Sequence, residues 1–564
     1  MSIDAPATTV ETPDPHGAYP RLSDEQIASL AARGVRRPTA PGSVLVREGD
    51  EPRDFHVVLR GLVAVVDGYG LPEEREIAVH GERRFLGELG LLTGQAAFFT
   101  AVVREPGEVL AVPVDQVRAL VVGDPALGDL ILHAYLLRRE LLIGLGAGFR
   151  IVGSRFSPDA RRLREFAARN RLPHRWIDLE QDAAAEALLR AVGVAPAETP
   201  VVIWRGRVLR NPSTEELARA VGLPAPATDR TVCDLLVVGG GPAGLAASVY
   251  GASEGLETVT LDAVATGGQA GTSSRIENYL GFPAGISGTE LAERATIQVR
   301  KFGGRITVPA EAVALEPEDG HHRVRLRDDR EILARTVVVA TGARYRRLDV
   351  PRLGEFEADS VYYAATLMEA RVCAGDPVVV VGGGNSAGQA TVFLSRYARQ
   401  LTLVVRGEAL EDNMSRYLAD RIRRLPSVEI LLHNEVRELQ GDGHLDAVVV
   451  ADRHTGDRRR VPARALFVFI GAEPHTGWLG GKVALDRHGF VLTGPAAAAQ
   501  LPDDGGTGRA PLLLETSCPG VLAVGDARAG SIKRVASAVG EGAMAVRLVH
   551  DHLERLQRHP QHAP

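Results

Sequence analysis

Hydrophobic and polar positions alternate differently along the chain, and the changes of period divide it into blocks. Residues 1–20 show no period; Pro6, Pro13, Pro15 and Pro20 stand among small polar residues, which predicts a mobile lead-in. Residues 22–33 have helical spacing. From 44 to 112, short β-branched runs broken by glycine follow one another (SVLVREGD, FHVVLRGLVAVVDG, EREIAVHG, AAFFTAVV, EVLAVP), the pattern of a small barrel or jelly roll. A helical stretch over 115–145 closes that block. Residues 150–223 then read as strand, helix, strand, helix, strand pair and helix, and Pro224-Ala225-Pro226-Ala227-Thr228 reads as a linker. Further on, two apolar runs at 232–238 and 377–381 each precede a glycine-rich turn and a helix, as buried parallel strands do.

The length of 564 residues argues for several domains, each large enough to bury a core. Sixty-five Lys and Arg against 71 Asp and Glu give a net charge of −6, so there is no basic field for a phosphate backbone and nucleic acid is not an expected partner. The three cysteines, Cys233, Cys373 and Cys518, are more than a hundred residues apart. That spacing forms neither a CxxC pair nor a zinc set and suggests a reducing compartment. No run approaches 18 uninterrupted apolar residues, and the N-terminus lacks a signal-like apolar stretch, so the expected location is the cytoplasm with no membrane partner. No metal site is expected: His550, His552, His559 and His562 read as solvated groups of a polar tail, and His475 as a surface loop group.

The most specific chemistry follows Cys233. Gly239-Gly240-Gly241-Pro242-Ala243-Gly244 sits between an apolar strand and a helix, which is the GxGxxG fingerprint in its required context. Gly239 permits the tight turn, Gly241 lets the backbone approach a pyrophosphate, and Gly244 lets the helix close on the strand. Asp262 ends the next strand, where a carboxylate binds ribose hydroxyls. A second copy, Gly382-Gly383-Gly384-Asn385-Ser386-Ala387-Gly388, implies a second nucleotide. The strand after it ends in Val405-Arg406 rather than an acid, which favours the 2′-phosphate of NADPH over NADH, with NADH still open and a plain surface role for Arg406 as the alternative.

Several motifs carry resemblances. Val337-Val338-Val339-Ala340-Thr341-Gly342-Ala343 is similar to the ATG strand of FAD domains. The stretch from Thr516 through Gly525-Asp526 is similar to their C-terminal segment, whose aspartate meets the flavin ribityl or pyrophosphate region. Gly267-Gly268-Gln269, Glu277-Asn278 and Arg534-Val535-Ala536 resemble flavin-clasping positions of the low-molecular-weight thioredoxin reductases, and that resemblance runs from 232 to about 549. It implies FAD held by Gly239, Gly241, Gly244, Asp262, Gly268, Gln269, Asn278, Thr341, Gly342, Gly525, Asp526, Arg534, Val535 and Ala536. It implies NAD(P)H held by Gly382, Gly384, Asn385, Ser386, Ala387 and Arg406, two nucleotide domains turning about two connecting strands near 346–359 and 471–479, and a homodimer.

Upstream, Phe85-Leu86-Gly87-Glu88-Leu89-Gly90-Leu91-Leu92 resembles the phosphate-binding cassette of cyclic-nucleotide-binding domains, with Gly87 and Glu88 as ligand positions. The cassette's arginine is missing from Gly94–Ala101. A protein-contact role and a small ligand, cyclic nucleotide or other, both remain open for this domain. The block 148–224 resembles a thioredoxin or glutaredoxin module with Thr199-Pro200 at its cis-proline. Its turn, Ser154-Arg155-Phe156-Ser157-Pro158, has no cysteine, so no thiol chemistry is expected there and a scaffolding role is.

The expected fold class is multidomain: an N-terminal barrel or jelly roll, a thioredoxin-like α/β module, and two Rossmann-like domains for FAD and NAD(P). The boundaries are a lead-in 1–20, barrel 21–147, thioredoxin-like module 148–224, linker 225–231, FAD domain 232–345 and 475–555, NAD(P)H domain 346–474, and tail 556–564. Ala364 and Leu367 stand where thioredoxin reductases carry their redox cysteines, and Val405 and Gly407 replace two residues of that family's HRR. The expected function is an NAD(P)H-dependent flavoprotein reductase that passes hydride to FAD and on to an unidentified protein or small-molecule acceptor, with no catalytic side chain and no internal disulphide. Two alternatives stay open: a redox or ligand sensor regulated through the barrel, and a thioredoxin-disulphide reductase.

Overall fold

The structure is a computed structural model. It describes residues 10–558 except 52, 72–73, 89–94, 183–184, 224–231, 274, 319, 358–359, 364, 366 and 502–508. The cassette residues 89–94, the linker 225–231, Ala364, His559 and His562 therefore lie outside the described residues. The chain forms two compact units, residues 1–226 and 227–564.

In the first unit, Val35–Thr39, Val44–Val46, Asp54–Asp67, Arg75–His80, Phe85–Leu86 and Thr100–Pro113 form one six-stranded sheet with antiparallel pairing. The two fourteen-residue strands, Asp54–Asp67 and Thr100–Pro113, pair along most of their length with several register shifts. Such bulges bend a long pair and let the sheet curl round an interior. The inward residues include Phe55, Val57, Val58, Leu110 and Val112, all fully buried. A first helix, Asp24–Ala31, starts at a Ser23–Gln26 capping box. The stretch expected as one helix over 115–145 is two, Val114–Gly123 and Pro125–Gly144. The break falls at Asp124, whose carboxylate accepts the Leu127 amide, and the following Pro125 suits a helix's first turn.

The lead-in is corrected in part. From residue 10 it is docked on the barrel: Thr12 exchanges hydrogen bonds with Val79, Glu11 pairs with Arg21 and Arg84, and Ala18 is buried.

The thioredoxin-like module has the four-stranded order Arg207–Arg210, Val201–Trp204, Phe149–Gly153, His174–Asp178, with its first two strands in sequence parallel and the last two antiparallel. The Thr199-Pro200 bond is cis, as the resemblance implies. Arg155 pairs with Asp178, and Ser154 donates to Glu180, in the turn that lacks cysteines.

The second unit holds two parallel-sheet domains. In the first, Arg305–Thr307, Thr258–Leu261, Cys233–Val238 and Glu331–Val339 are consecutive parallel neighbours, and Val521–Ala523 returns beside the last of them. In the second, Val361–Tyr362, Ala465–Val468, Pro377–Val381, Gln400–Val404 and Val428–Leu431 form a five-stranded parallel sheet. The chain crosses between the domains on two short strands that pair antiparallel, Ala343–Tyr345 and Ala472–Pro474. Among the described residues no single helix is long and apolar enough to cross a membrane.

Candidate functional site

The first fingerprint folds as its glycines require. Gly239 has φ of +111°, and a Cβ there would lie 2.2 Å from the Ala340 carbonyl oxygen. Gly244 sits against the Gly239 carbonyl and Ala340, closing the helix Pro242–Ser253 on its strand. That helix starts at Gly241 with no side chain capping it, so its first amides are unspent. A Cβ on Gly241 would meet only the Gly268 Cα, at 3.8 Å. Gly525 approaches Ala243 from the C-terminal segment, and the long helix Val535–Arg558 starts beside it, with Ala538 donating to the Arg534 carbonyl. Gly239, Gly241, Gly244, Gly268 and Gly525 thus gather round the N-terminus of one helix, whose positive end fits a dinucleotide pyrophosphate.

Individual side chains are less simple. Asp262 is occupied by backbone: Oδ2 accepts the Gly240 amide, and Oδ1 accepts those of Val264 and Ala265. It braces the glycine turn, leaving Oδ2 one lone pair for a hydroxyl. Gln269 donates to the Ala343 carbonyl and Thr341 to that of His475, so both tie the nucleotide ledge to the crossing strands. Asn278 is exposed. Asp526 is half-buried, its carboxylate has no hydrogen-bond partner among the described residues, and burial, with Glu541 nearby, pushes its carboxyl above the usual range. Glu277, beside Asn278, pairs with Arg421 of the second domain at 2.9 Å.

The second fingerprint repeats the geometry. Gly382 has φ of +144° and faces the Phe469 carbonyl oxygen, 2.3 Å from where a Cβ would stand. Gly384 opens the helix Asn385–Leu394, again without a side-chain cap, and a Cβ on it would come no nearer than 3.9 Å to the Asn413 carbonyl. Asn385 accepts the Ser415 amide at 2.7 Å, Ala387 is fully buried, and Ser386 lies on the first turn. Arg406 is exposed just past the strand Gln400–Val404. Three basic residues not singled out by sequence gather there. His433 donates its amide to the Gly407 carbonyl, Arg453 reaches the Arg406 carbonyl at 3.4 Å, and His454 contacts the His433 ring, nitrogen to nitrogen, at 3.1 Å. They arrive on turns 27 to 48 residues downstream, so no local spacing announces them.

Residues 233–542 match the pyridine nucleotide-disulphide oxidoreductase family, and residues 36–124 match the cyclic nucleotide-binding domain. The first match spans more than half of the chain. The chain belongs to the pyridine nucleotide-disulphide oxidoreductase family. It is similar to the thioredoxin reductase of Treponema pallidum (30% identical, 57% of this chain and 98% of that protein). It is also similar to an alkyl hydroperoxide reductase component of Pseudomonas putida (34% identical, 57% of this chain), of which it spans only 58%. Among solved structures, the thioredoxin reductase of T. acidophilum matches with a TM-score of 0.52 at 27% identity, over 58% of this chain and all of that one. The Lactococcus lactis thioredoxin reductase, in its FR conformation, also matches with a TM-score of 0.52, at 25% identity, over 57% of this chain and all of that one. As in other thioredoxin reductase-like members of the pyridine nucleotide-disulphide oxidoreductase family, FAD and NAD(P)H are the cofactors.

The barrel holds a separate cavity of about 490 Å³, lined by Tyr19, His56, His80, Gly87, Glu88 and Arg138 among others. Gly87 has φ of +100° and lies against the Asp54 carbonyl, which positions Glu88 inward. Arg138, from the helix Pro125–Gly144, pairs with Glu88 at 2.9 Å and donates to the Phe85 and Ala18 carbonyls. The cassette lacks its own arginine, and a guanidinium 50 residues away stands beside its glutamate. The visible hint was an Arg138-Arg139 doublet inside a leucine-rich helix.

Burial pushes His56 down to about 4 and His80 well below its ordinary value, so both are neutral at pH 7. Because the unfolded chain binds these protons near pH 6.5 and the folded chain does not, stability rises with pH between about 4 and 6.5. Acidification through that window is expected to remove on the order of 3 kcal/mol through His56 alone, with a further loss through His80. A fall in the unfolding midpoint of the first unit from pH 7 to pH 5, tracked by hydrogen exchange, would establish it; a flat profile would refute it.

His552 corrects the reading of the tail histidines as solvated. It is 8% exposed and lies 3.7 Å from Glu515, while His550 pairs with Glu254 at 3.1 Å.

Proposed function

We propose that this protein is an NADPH-preferring flavoprotein reductase that delivers electrons to an external acceptor without a thiol relay of its own. The observation that carries this reading is the state of its cysteines. Cys233, Cys373 and Cys518 are all buried and free, and burial pushes the first up to about 12 and the other two up to about 11. At pH 7 a thiol of pKa 11 is thiolate on the order of one part in ten thousand, too little for an exchange catalyst.

FAD, when bound, supplies the chemistry: it accepts hydride from the reduced nicotinamide and releases the electrons to an acceptor. The chain's residues bind and orient. The amides after Gly241 and Gly384 hold the two pyrophosphates, Asp526 faces the flavin side, and Arg406, Arg453, His433 and His454 form the basic surround for a 2′-phosphate. No side chain is required to move a proton in the reductive step.

Anaerobic stopped-flow of the yellow protein against NADPH and then NADH tests this. Fast bleaching that outlasts alkylation of the thiols supports the reading; absent bleaching, or bleaching abolished by alkylation, sinks it. Arg406→Ala is expected to raise the KM for NADPH about tenfold, as losing one charge-assisted bond does, while the KM for NADH changes less than about twofold. Equal changes in both would remove Arg406 from coenzyme selection.

The barrel cavity favours a second reading, in which a bound ligand sets the rate of flavin reduction. Repeating the stopped-flow experiment with cyclic nucleotides added distinguishes it.

A further inference from the structure

The loop that follows the strand Gln400–Val404 opens with a single cation, Arg406, because Val405 is buried and Gly407 has no side chain. Backbone contacts bring two histidines to it. His433, at φ of +59°, donates its amide to the Gly407 carbonyl at 3.2 Å and accepts the Arg453 amide at 2.8 Å, while Asn434 donates to the Val405 carbonyl at 3.1 Å. Asp452 Oδ1 accepts the His454 and Thr455 amides at 2.8 and 3.0 Å, which fixes the turn that presents His454. The two rings meet at 4.7 Å between centroids and 61° between planes, with Nε2 of His454 3.1 Å from Nδ1 of His433.

At that distance one nitrogen donates and the other accepts. Two neutral rings can do this, since each has one N–H and one lone pair. One added proton goes to an outer nitrogen and leaves the bond in place, whereas a second would set N–H against N–H. The pair is therefore built to hold one positive charge and not two. The charged groups around it are Arg406 and Glu408 on the loop, Glu429 paired with Arg459, Glu435 paired with Arg437, and Asp452, Arg453 and Asp457 on the turn. Arg453 Nε lies 3.9 Å from Glu435. The amides of Thr455 and His454, and then the two histidines, hold the Asp452 carboxyl below its usual range, so it stays ionised beside the pair. Arginine keeps its charge at every working pH, whereas histidine is the side chain that changes charge across neutrality.

We propose that the His433–His454 pair makes coenzyme selection depend on pH: it takes up one proton from solvent when the 2′-phosphate of the coenzyme binds, so the preference for NADPH over NADH strengthens as pH falls and fades as pH rises. The inference rests on the reading of this corner as the 2′-phosphate surround. The sign follows from linkage, because the bound state holds the extra proton and its affinity must fall as protons become scarce.

Calorimetry of the oxidised holoprotein with NADP⁺ and with NAD⁺, from about pH 6.5 to about pH 8.5 at constant salt, tests it; a phosphate monoester, with a second pKa of about 6, keeps nearly the same charge across that window. NADP⁺ is expected to bind about tenfold more weakly at the upper end, with a heat that varies with the ionisation enthalpy of the buffer as proton uptake requires, and NAD⁺ to change less than about twofold. His433→Asn with His454→Gln is expected to flatten the NADP⁺ profile, asparagine being a residue that tolerates the positive φ at 433, and flavin absorbance reports that the variant is folded. His454→Gln alone, on its exposed turn, is expected to reduce the slope where the double variant does not fold. A flat NADP⁺ profile in the unaltered chain, or a slope that survives in the variants, overturns the inference. NADP⁺ bound no more tightly than NAD⁺ at any pH would overturn the coenzyme reading itself, and the inference with it.

Discussion

Gly239→Ala is expected to yield a colourless protein, whereas Gly382→Ala is expected to remain yellow and lose its reduction by NADPH. The same lesion is introduced in both cases. Each glycine holds a positive φ, +111° and +144°, and at each a Cβ would fall within 2.2 or 2.3 Å of a backbone carbonyl oxygen. Backbone cannot rotate out of the way as a flexible side chain does, so the turn must open and carry the helix start with it. Overpacking of this kind costs about 1–3 kcal/mol, enough to reduce nucleotide affinity by one to two orders of magnitude if it falls wholly on the bound conformation. Flavin absorbance of the purified variants, followed by NADPH titration, separates the two losses. A Gly239→Ala variant with full flavin would mean that the first fingerprint is a scaffold only.

Glu515→Ala is expected to destabilise the second unit by about 3–5 kcal/mol. Glu515 is 1% exposed and accepts two bonds from Arg509, at 2.6 Å each, and one each from the amides of Leu512 and Gly520. Burial alone raises its carboxyl, but Arg509 and the two amides outweigh it and hold the group below the ordinary carboxylate value. Truncation leaves the buried Leu512 and Gly520 amides without their acceptor and removes the carboxylate that Arg509 faces. Glu515→Gln is expected to recover little, because its amide would turn a donor towards a donor. Thermal release of flavin fluorescence reads the effect, and a shift of less than about a degree in the Gln variant would place the weight of the network elsewhere.

What the sequence disclosed, and what it hid, follows from how each feature is encoded. The two fingerprints were legible because a forced positive φ admits glycine and little else, so Gly239 and Gly382 report geometry directly. The proline of Thr199-Pro200 was visible, but its cis geometry was implied only by the resemblance, because the isomer is not written in the sequence. Arg138 was hidden because its partner Glu88 lies 50 residues away, and only the fold of the helix across the barrel joins them. His80 ends a strand, Arg-Glu-Ile-Ala-Val-His, whose alternation does not say which face closes on a cavity. His552 read as solvated because its helix is rich in charge, yet it falls on the face turned towards Glu515. Asp262 was placed correctly on its strand end, but spacing cannot show that three backbone amides already claim its oxygens.

The junction between the two nucleotide domains also has a mechanical consequence. Two three-residue strands form a ribbon there, and the Glu277–Arg421 pair also links the two domains. Both partners are about a third exposed, so the pair contributes at most about 1 kcal/mol, a bias of roughly fivefold between arrangements. In the domain rotation that the resemblance to the thioredoxin reductases implies, the ribbon would be the hinge and this pair a weak electrostatic detent. Raising ionic strength shortens the reach of that detent to a few ångströms without touching the ribbon. Under that rotation, salt is expected to change how long the two domains dwell in one orientation while leaving the affinity of either nucleotide pocket to its glycines.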